Sequence, residues 1–418
     1  MKKAIKLLLI LVFATAILLL AACSSDDADG SSSQGQPSGK ITLNVYNWGE
    51  YISDGSEDSL DVNKAFEEWC KTEKGLDVEV NYMTFDSNES MYNKLKSGAV
   101  SYDIVVPSDY MIARMVSEGM LEELDYGNIP NFDKNIDKRF VSPYYDVEQK
   151  YSVPYFVGYV GIMYNTKYVS EDDIGGWDLL WNENYRGKIL QFNNSRDAFG
   201  TAMFKNGDSV NSTDEAVWRS ALDELKKQKP ILQAYVMDEI FNKMKNESAW
   251  IAPYYAGDFL SMYTENDSLA FYFPEGGTNV FNDAMCIPKG AKNKTVAEYY
   301  INFMLEPEIG KANSEFVYYA TPNTLVNSDP EYIEYMTEEA HENAMYYLNP
   351  NFGEGYVTEY YHNFDDETLV LVNSLWEELK IDSISDKGVY VTCVVIVISI
   401  SAYLIFKFIR QRRRRRYY

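Results

Sequence analysis

ITLNVYNW (residues 41–48) alternates apolar with polar side chains and is rich in β-branched and aromatic residues, which predicts a β-strand. The next stretch, SLDVNKAFEEWCKTE (59–73), has apolar residues at helical spacing. It is followed by LDVEVNYMTF (76–85), which alternates again and predicts a second strand. These three stretches therefore predict a β-α-β unit.

The same alternation of strand and helix continues along the chain. SNESMYNKLKSG (87–98) predicts a short helix that Ser87 caps and Gly98 ends. YDIVVPS (102–108) predicts a third, almost wholly apolar strand, and YMIARMVSEGM (110–120) a helix after it. A β-α-β-α-β order predicts an α/β fold, in which helices cover a parallel sheet.

Aromatic and acidic residues follow the ends of these predicted strands. Trp48, Glu50 and Tyr51 stand at the end of the first strand, and Ser108 and Tyr110 at the end of the third. In parallel α/β sheets, ligands bind beyond the carboxyl ends of the strands. Aromatic rings beside a carboxylate are typical of a pocket for a cation, so we predict a binding site at this edge.

The stretch between the two chain ends, roughly residues 40–382, is here called the body. The sequence of its remaining part predicts a second α/β region. Strands or strand ends are predicted, with helices between them, at YSVPYFVGYVGIMYN (151–165), GKILQFNN (187–194), AWIAPYYAGDF (249–259), LAFYFPEGG (269–277) and DAMCIP (283–288). No repeat of fixed period occurs. Two α/β lobes joined by crossing strands would account for this order, and the cleft between them is the default site for a ligand.

Both ends of the chain have features of membrane attachment. Residues 1–23 combine a basic start with a short apolar stretch and end in LAAC, which resembles the lipobox of bacterial lipoproteins, so we expect a signal peptide and lipidation of Cys23. Residues 24–40 are polar and predict a flexible tether. Residues 388–406 carry no charge and predict a transmembrane helix, and the arginine-rich residues 407–418 predict a cytoplasmic tail.

The composition argues against several classes of function. The chain has 63 acidic and 38 basic residues, a net charge of −25, which disfavours nucleic acid as a partner and favours cations. Two distant body cysteines, Cys70 and Cys286, favour buried thiols over a disulfide framework. Neither metal-ligand spacing nor an HExxH, GxSxG or phosphate-loop motif occurs. We therefore expect no cofactor, no bound metal and no enzymatic activity.

Eight stretches, in this order, resemble the spermidine/putrescine-binding proteins of bacterial polyamine ABC transporters. They are YNWGEY (46–51), FDSNESMYNKL (85–95), YDIVVPSDY (102–110), YSVPYFVGYVGIMYN (151–165), GKILQFNNSRDAFGTAM (187–203), FPEGGTNVFNDAMCIPKGAKNK (273–294), INFMLEPE (301–308) and YATPN (319–323). The resemblance implies a two-lobed, type II periplasmic-binding-protein fold with the ligand cleft between the lobes. One lobe would comprise 41–157 and 281–326, the other 158–280 and 327–382.

The resemblance also implies a function and a set of site residues. The protein would be a monomeric, membrane-tethered extracytoplasmic receptor that passes a polyamine to the permease subunits of an ABC transporter. Aromatic rings would stack on the methylene chain, and carboxylates would pair with its ammonium groups. The implied residues are Trp48, Tyr51, Tyr110, Tyr255, Phe281 and Tyr319 as walls, Glu50, Asp197 and Asp283 as carboxylates, and Ser108 as a hydroxyl.

Two positions bear on which polyamine is preferred. Asn194 stands where spermidine-selective relatives have an acid, and Asp258 stands where putrescine-type relatives have one. Because three ammonium groups need more negative charge than two, this combination favours putrescine. The sequence leaves individual residues open: Tyr254 could replace Tyr255 as a wall, and Asp197 could form a surface ion pair with Arg196.

Other functions remain compatible with the same residues. Asp283 could lie in an exposed turn between TNVF (278–281) and AMCIP (284–288) rather than in a pocket. Paired carboxylates among aromatics also suit a surface glycosidase. Adjacent tyrosines at 254–255 or 318–319 could bind ferric iron, and a C-terminal membrane helix could belong to a ligand-sensing ectodomain.

Overall fold

The computed structural model describes residues 39–56 and 58–381. The predicted signal peptide with Cys23, nearly all of the tether, the transmembrane helix and the basic tail lie outside these residues. Within the described part of the chain, no helix has the length and apolar character needed to cross a membrane.

Strands and helices alternate over the described residues. The strands are β1 Ile41–Trp48, β2 Val78–Phe85, β3 Ile104–Val105, β4 Ser152–Asn165, β5 Ile189–Phe192, β6 Leu232–Val236, β7 Ile251–Tyr255, β8 Leu269–Tyr272, β9 Thr278–Cys286 and β10 Thr358–Glu359. The α-helices are α1 Val62–Trp69, α2 Asn88–Lys96, α3 Asp109–Ser117, α4 Asn131–Asn135, α5 Ser195–Asn206, α6 Glu215–Gln228, α7 Glu239–Lys245, α8 Ala256–Glu265, α9 Lys294–Met304, α10 Pro307–Val317, α11 Thr324–Asn327, α12 Pro330–Tyr335, α13 Ala344–Leu348 and α14 Asp366–Ile381.

The strands follow one hydrogen-bonded path, β2-β1-β3-β9-β4-β7-β5-β6, and β8 and β10 pair alongside β4 and β9. β1 pairs in parallel with β2 over its whole length, from Ile41 opposite Val78 to Trp48 opposite Phe85. β1 also pairs in parallel with β3. The predicted parallel sheet at the start of the chain is confirmed. β1 ends at Trp48, and Ser108 stands three residues after the end of β3.

β4 connects the two halves of this path. Its first part pairs antiparallel with β9, and its second part pairs antiparallel with β7 and β8. Gly158 and Gly161 lie within β4, where aromatic rings occupy the space of a side chain. A Cβ at Gly158 would lie 2.2 Å from Cζ of Phe281, and one at Gly161 would lie 2.2 Å from Cζ of Phe271. Glycine at these positions lets the two rings lie directly on the strand.

Two sequence predictions were wrong in detail. The third strand is reduced to Ile104–Val105, since Pro107 has no amide hydrogen to continue a ladder. The last four residues of AWIAPYYAGDF are not strand, because α8 begins at Ala256 and places Asp258 in its first turn. The alternative of an exposed turn for Asp283 is excluded, because Asp283 lies within β9, which runs without a break from Thr278 to Cys286.

The buried apolar residues form three clusters, two of them large. One contains β5, β7 and α5–α8 residues together with residues of the C-terminal helices, such as Leu375. The other contains β1, α1, α9 and residues such as Phe156 and Tyr319. The boundaries of the two lobes stay a prediction. Cys70 and Cys286 are both buried and free, as the sequence favoured.

Helix caps fix the segments that lead into the site. Ser87 accepts a hydrogen bond from the Ser90 amide and caps α2, as predicted, and α2 ends at Lys96, two residues before Gly98. Asn194 caps α5 by accepting from the Asp197 amide at 2.8 Å. The cap therefore fixes the first turn of α5, which carries Arg196 and Asp197.

Candidate functional site

A cavity of about 80 Å³, here called the inner cavity, lies among the strand ends. All eleven ligand-binding residues expected from the sequence line it: Trp48, Glu50, Tyr51, Ser108, Tyr110, Asp197, Tyr255, Asp258, Phe281, Asp283 and Tyr319. The structure thus brings together residues that are more than 270 positions apart in the chain. A cavity of this size has room for a handful of water molecules or for a slim, unbranched molecule.

Asp283 provides the most deeply buried carboxylate among the expected residues, with an exposed fraction of 3%. Its Oδ2 accepts a hydrogen bond from the Tyr51 hydroxyl at 2.8 Å. Its Oδ1 is buried and has no hydrogen-bond partner among the residues that the structure describes. Burial raises the pKa of Asp283 to about 6, against the opposing effect of the Ser108 and Tyr51 hydroxyls. The carboxyl group is therefore costly to ionise until a cation or a donor reaches it.

A second carboxylate, Asp197, is held by the first turn of α5. Its Oδ2 accepts from the Tyr255 hydroxyl at 2.6 Å and from Nδ2 of Asn194 at 2.7 Å. Burial raises the pKa of Asp197 as well. Asp197 thus lies in the cavity wall, and Tyr255 rather than Tyr254 is hydrogen-bonded to it. Tyr254 also lines the cavity, with an exposed fraction of only 2%.

A third carboxylate, Asp258, lies in the first turn of α8. Its Oδ2 accepts from the Tyr319 hydroxyl at 2.9 Å. Burial raises the pKa of Asp258 well above its ordinary value. The Tyr319 ring lies over Gly257, where a Cβ would be 2.4 Å from its Cδ2 atom. The absence of a side chain at Gly257 lets Tyr319 reach the carboxylate.

Aromatic rings form the walls between these carboxylates. Tyr51 and Tyr319 meet edge to face, with ring centroids 4.9 Å apart. Tyr255 and Phe281 do the same at 5.1 Å. Trp48, at the end of β1, packs against Phe85, and its buried Nε1 has no partner among the described residues. Such rings present apolar faces and weakly negative π-surfaces to a ligand.

Sequence reasoning missed several residues that line the inner cavity. They include Glu89, Asp109, Asp238, Tyr361 and Arg196. Glu89 and Asp109 stand next to predicted strand ends, so their positions could have indicated them. Arg196 and Tyr361 had no such local signal. The lining holds seven acidic residues (Glu50, Glu89, Asp109, Asp197, Asp238, Asp258 and Asp283) and one basic residue, Arg196.

The structure contradicts a surface ion pair between Arg196 and Asp197, because both residues are buried and their polar atoms bond elsewhere. Nη1 of Arg196 donates to the His362 carbonyl at 3.1 Å. The guanidinium lies over the rings of Tyr361 and Phe364, with Cζ 4.5 and 4.1 Å from their centroids. Burial lowers the pKa of Arg196.

A larger open depression of about 1030 Å³, here called the outer groove, adjoins the inner cavity. The two share Glu50, Met237, Asp238, Phe241 and Asp258. Burial raises the pKa of Asp238, and the negative charge of Glu50 adds to this effect. The shared residues therefore form an acidic entrance that favours cations.

The cavity offers carboxylates and aromatic faces but few groups of other chemistry. Among residues 39–56 and 58–381, no cluster of His, Cys, Asp and Glu has the arrangement of a metal site. The hydroxyls of Tyr255 and Tyr319, two of the tyrosines considered for iron, donate to Asp197 and Asp258. The arrangement can bind a slim cation through its charged ends and stack on the apolar part between them.

Comparisons with known proteins agree with this architecture. The family model for bacterial extracellular solute-binding proteins matches residues 101–337. The spermidine/putrescine-binding periplasmic protein 1 of Haemophilus influenzae is 31% identical over 306 residues, which cover 73% of this chain and 81% of that protein. The corresponding protein of Escherichia coli is 34% identical over 285 residues, covering 68% and 78%.

Solved structures give the same result. The spermidine/putrescine substrate-binding protein PotD of Streptococcus pneumoniae matches with a TM-score of 0.62 and 34% identity, covering 82% of this chain and 99% of that one. A Listeria monocytogenes protein named after a spermidine/putrescine ABC transporter matches with a TM-score of 0.71 and 35% identity, covering 81% and 98%. The fold is thus the α/β fold of periplasmic binding proteins. The chain belongs to the bacterial extracellular solute-binding proteins, in the family of spermidine/putrescine-binding periplasmic proteins.

Proposed function

We propose that the protein is an extracytoplasmic receptor that binds a polyamine in the inner cavity and delivers it to the permease of an ABC transporter. The names of its relatives support this substrate class and this partner. The supporting observation in this chain is the buried, unpartnered Oδ1 of Asp283 in a cavity walled by aromatic rings. An alkylammonium group would supply the missing donor and a positive charge at the same time.

The expected contacts can account for micromolar binding of a polyamine. An ammonium group 4 Å from a carboxylate gains on the order of 4 kcal/mol at an effective dielectric of 20, before desolvation. A cation–π contact adds about 0.5–2 kcal/mol. Micromolar affinity needs about 8 kcal/mol. Two paired ammonium groups and a stacked methylene chain therefore suffice.

The residues around the cavity support a preference for a diamine such as putrescine. Asp258 is present, and Asn194 uses its amide to cap α5 and to bond Asp197 instead of contributing a charge. Asp197, Asp258 and Asp283 each accept a hydrogen bond from a different tyrosine hydroxyl. This supports separate carboxylates for the two ammonium groups of the ligand. The small volume of about 80 Å³ also suits an unbranched chain.

Closure of two lobes around the ligand is part of the proposal. The cavity is lined by residues from both predicted lobes, with Tyr51 and Asp283 from one and Asp197 and Asp258 from the other. The lobes would comprise 41–157 with 281–326, and 158–280 with 327–382. A cation that contacts carboxylates from both lobes would bind the closed form more tightly and shift the population towards it.

We further propose that the monomeric receptor is tethered to the membrane through Cys23, through residues 388–406, or through both. The lipobox-like sequence and the uncharged stretch support this. Mass spectrometry of the protein from its host would detect a lipid on Cys23. Loss of membrane association on removal of residues 388–418 would assign the anchor to the C-terminal stretch, and an unmodified Cys23 with no membrane association would refute both anchors.

Calorimetric titration of the full chain in detergent with putrescine, spermidine and a neutral sugar tests the binding function. The D283N variant should weaken polyamine affinity by roughly thirtyfold or more, since a buried ammonium would lose its charged partner. D133N, which changes an exposed acid on α4, is the matched control and should bind like the native chain. Heat with the sugar and none with either polyamine, in folded protein, would refute the proposal in favour of the glycosidase.

A further inference from the structure

Arg196 is buried and is the one basic residue among the described residues that line the inner cavity. It stands in the first turn of α5, has an exposed fraction of 5% and lines the inner cavity. Three aromatic rings, those of Tyr110, Tyr361 and Phe364, lie under its guanidinium at 4.1 to 5.1 Å. The position of Tyr361 depends on Gly200, where a Cβ would be 2.5 Å from the tyrosine hydroxyl oxygen. The plane of the guanidinium is therefore fixed by packing.

The hydrogen-bonding capacity of Arg196 is only partly used. Nη1 donates to the His362 carbonyl. Nε and Nη2 are buried and have no hydrogen-bond partner among the described residues. A guanidinium has five N–H donors, and a buried donor without an acceptor is costly. Most buried polar groups in folded proteins are paired, so this exception points to an acceptor that the described residues do not supply.

What Arg196 lacks is an acceptor rather than a counter-charge. Tyr110 and Tyr361, and to a smaller extent the carboxyl groups of Glu89 and Asp109, oppose the lowering of the Arg196 pKa by burial. Both carboxyl groups are held by other donors: Glu89 accepts from the Tyr110 hydroxyl, and Asp109 from the amides of Tyr110 and Asn282. A protonated amine has no lone pair and cannot serve as the acceptor. A neutral carbonyl oxygen can.

We propose that the inner cavity also binds N-acylated diamines, with the free ammonium group at Oδ1 of Asp283 and the acyl carbonyl oxygen at Nε and Nη2 of Arg196. This inference rests on the proposed function, since it uses the same ammonium subsite. It assigns a neutral amide rather than a carboxylate, because a second negative charge would face seven acidic residues. Arg196 then selects between ligands that differ in the chemistry of one end.

The first test compares ligands on the native full chain in detergent. N-acetylputrescine and heptylamine have the same chain length and one ammonium group, but only the former has a carbonyl oxygen. Because its carbonyl oxygen can accept hydrogen bonds from the charged guanidinium, we expect N-acetylputrescine to bind roughly ten- to a hundredfold more tightly than heptylamine. Equal affinities would overturn the inference. Tighter binding of 4-aminobutyrate than of N-acetylputrescine would overturn the choice of a neutral carbonyl.

The second test uses variants. R196K keeps the charge and loses the planar pair of donors, so it should narrow the affinity gap between the two ligands at least fivefold. R114K, at an arginine on α3 that pairs with Glu118, is the matched control and should leave the gap unchanged. An unchanged gap in R196K would overturn the inference. If R196K does not fold, the ligand comparison on the native chain decides.

Putrescine in the same titrations separates this inference from the proposed function. Binding of putrescine without N-acetylputrescine overturns the inference alone and leaves the polyamine receptor intact. Binding of N-acetylputrescine without putrescine or spermidine refutes the proposed substrate class and supports the role of Arg196.

Discussion

Ligand affinity should depend on pH through Asp283, over a range in which the ligand itself keeps its charge. The pKa of Asp283 is raised to about 6 by burial in the unliganded protein, and the ligand binds the ionised form. About 90% of this carboxyl is ionised at pH 7 and about 10% at pH 5. Because the apparent dissociation constant is the intrinsic value divided by the competent fraction, it should rise about tenfold between pH 7 and pH 5. The raised pKa values of Asp197 and Asp258 act in the same direction.

The assay is calorimetric titration with putrescine at half-unit steps of pH, in two buffers of different ionisation enthalpy. Binding near pH 6 should release about half a proton from Asp283, which appears as a buffer-dependent heat. In the D283N variant, affinity should depend less steeply on pH, and the proton release due to Asp283 should be absent. An affinity that is constant from pH 5 to pH 7 in the native chain, or an equal slope in D283N, would refute the assignment.

Three further predictions follow from the cavity walls and the buried acid. F281L should weaken polyamine binding by roughly two- to thirtyfold in calorimetry, because one cation–π face is lost, and native affinity in a folded F281L protein would contradict the role of this wall. G257A should displace Tyr319 from Asp258 and weaken binding about tenfold, because the added methyl group would lie 2.4 Å from the Tyr319 ring. G353A, at a glycine whose Cβ would have no atom within 4 Å, is the control. Equal affinities of the two variants would contradict this role of Gly257. The unliganded protein should lose stability as pH rises from 4 to 7, because the folded state holds the Asp283 proton more tightly than the unfolded state. In urea unfolding, Asp283 should contribute up to about 3 kcal/mol to this loss, so the loss should be smaller in D283N. An equal loss in the variant would place the titrating group elsewhere.

Local sequence patterns predicted the elements that carry a clear period. β1 occupies the predicted residues 41–48, because apolar and β-branched side chains alternate there without interruption. The cap at Ser87 was predictable for the same reason, since it depends on one side chain and the next turn of backbone. The placement of Trp48 and Ser108 at one edge followed from the parallel order of the strands.

Features that depend on contacts between distant residues were not predictable. An acid inside a strand opposes local propensity, and the buried Asp283 of β9 is stabilised by a hydrogen bond from Tyr51, 232 positions away in the chain. Asp197 has a neighbouring arginine in the chain, yet the helix directs the two side chains to different partners. The role of Arg196 depends on Tyr361 and Phe364, which no pattern near residue 196 indicates.

Gly158, in the strand β4 that connects the two halves of the sheet, has a consequence for how such receptors can evolve. The Phe281 ring occupies the space that a side chain at Gly158 would need. A single mutation at Gly158 therefore expels a wall of the cavity, while a smaller residue at position 281 leaves an unfilled space beside the strand. Changes at these two positions should be inherited as a pair. In an alignment of relatives, a side chain at the first should accompany a small residue at the second, and the lineages that made this exchange should be those that changed ligand.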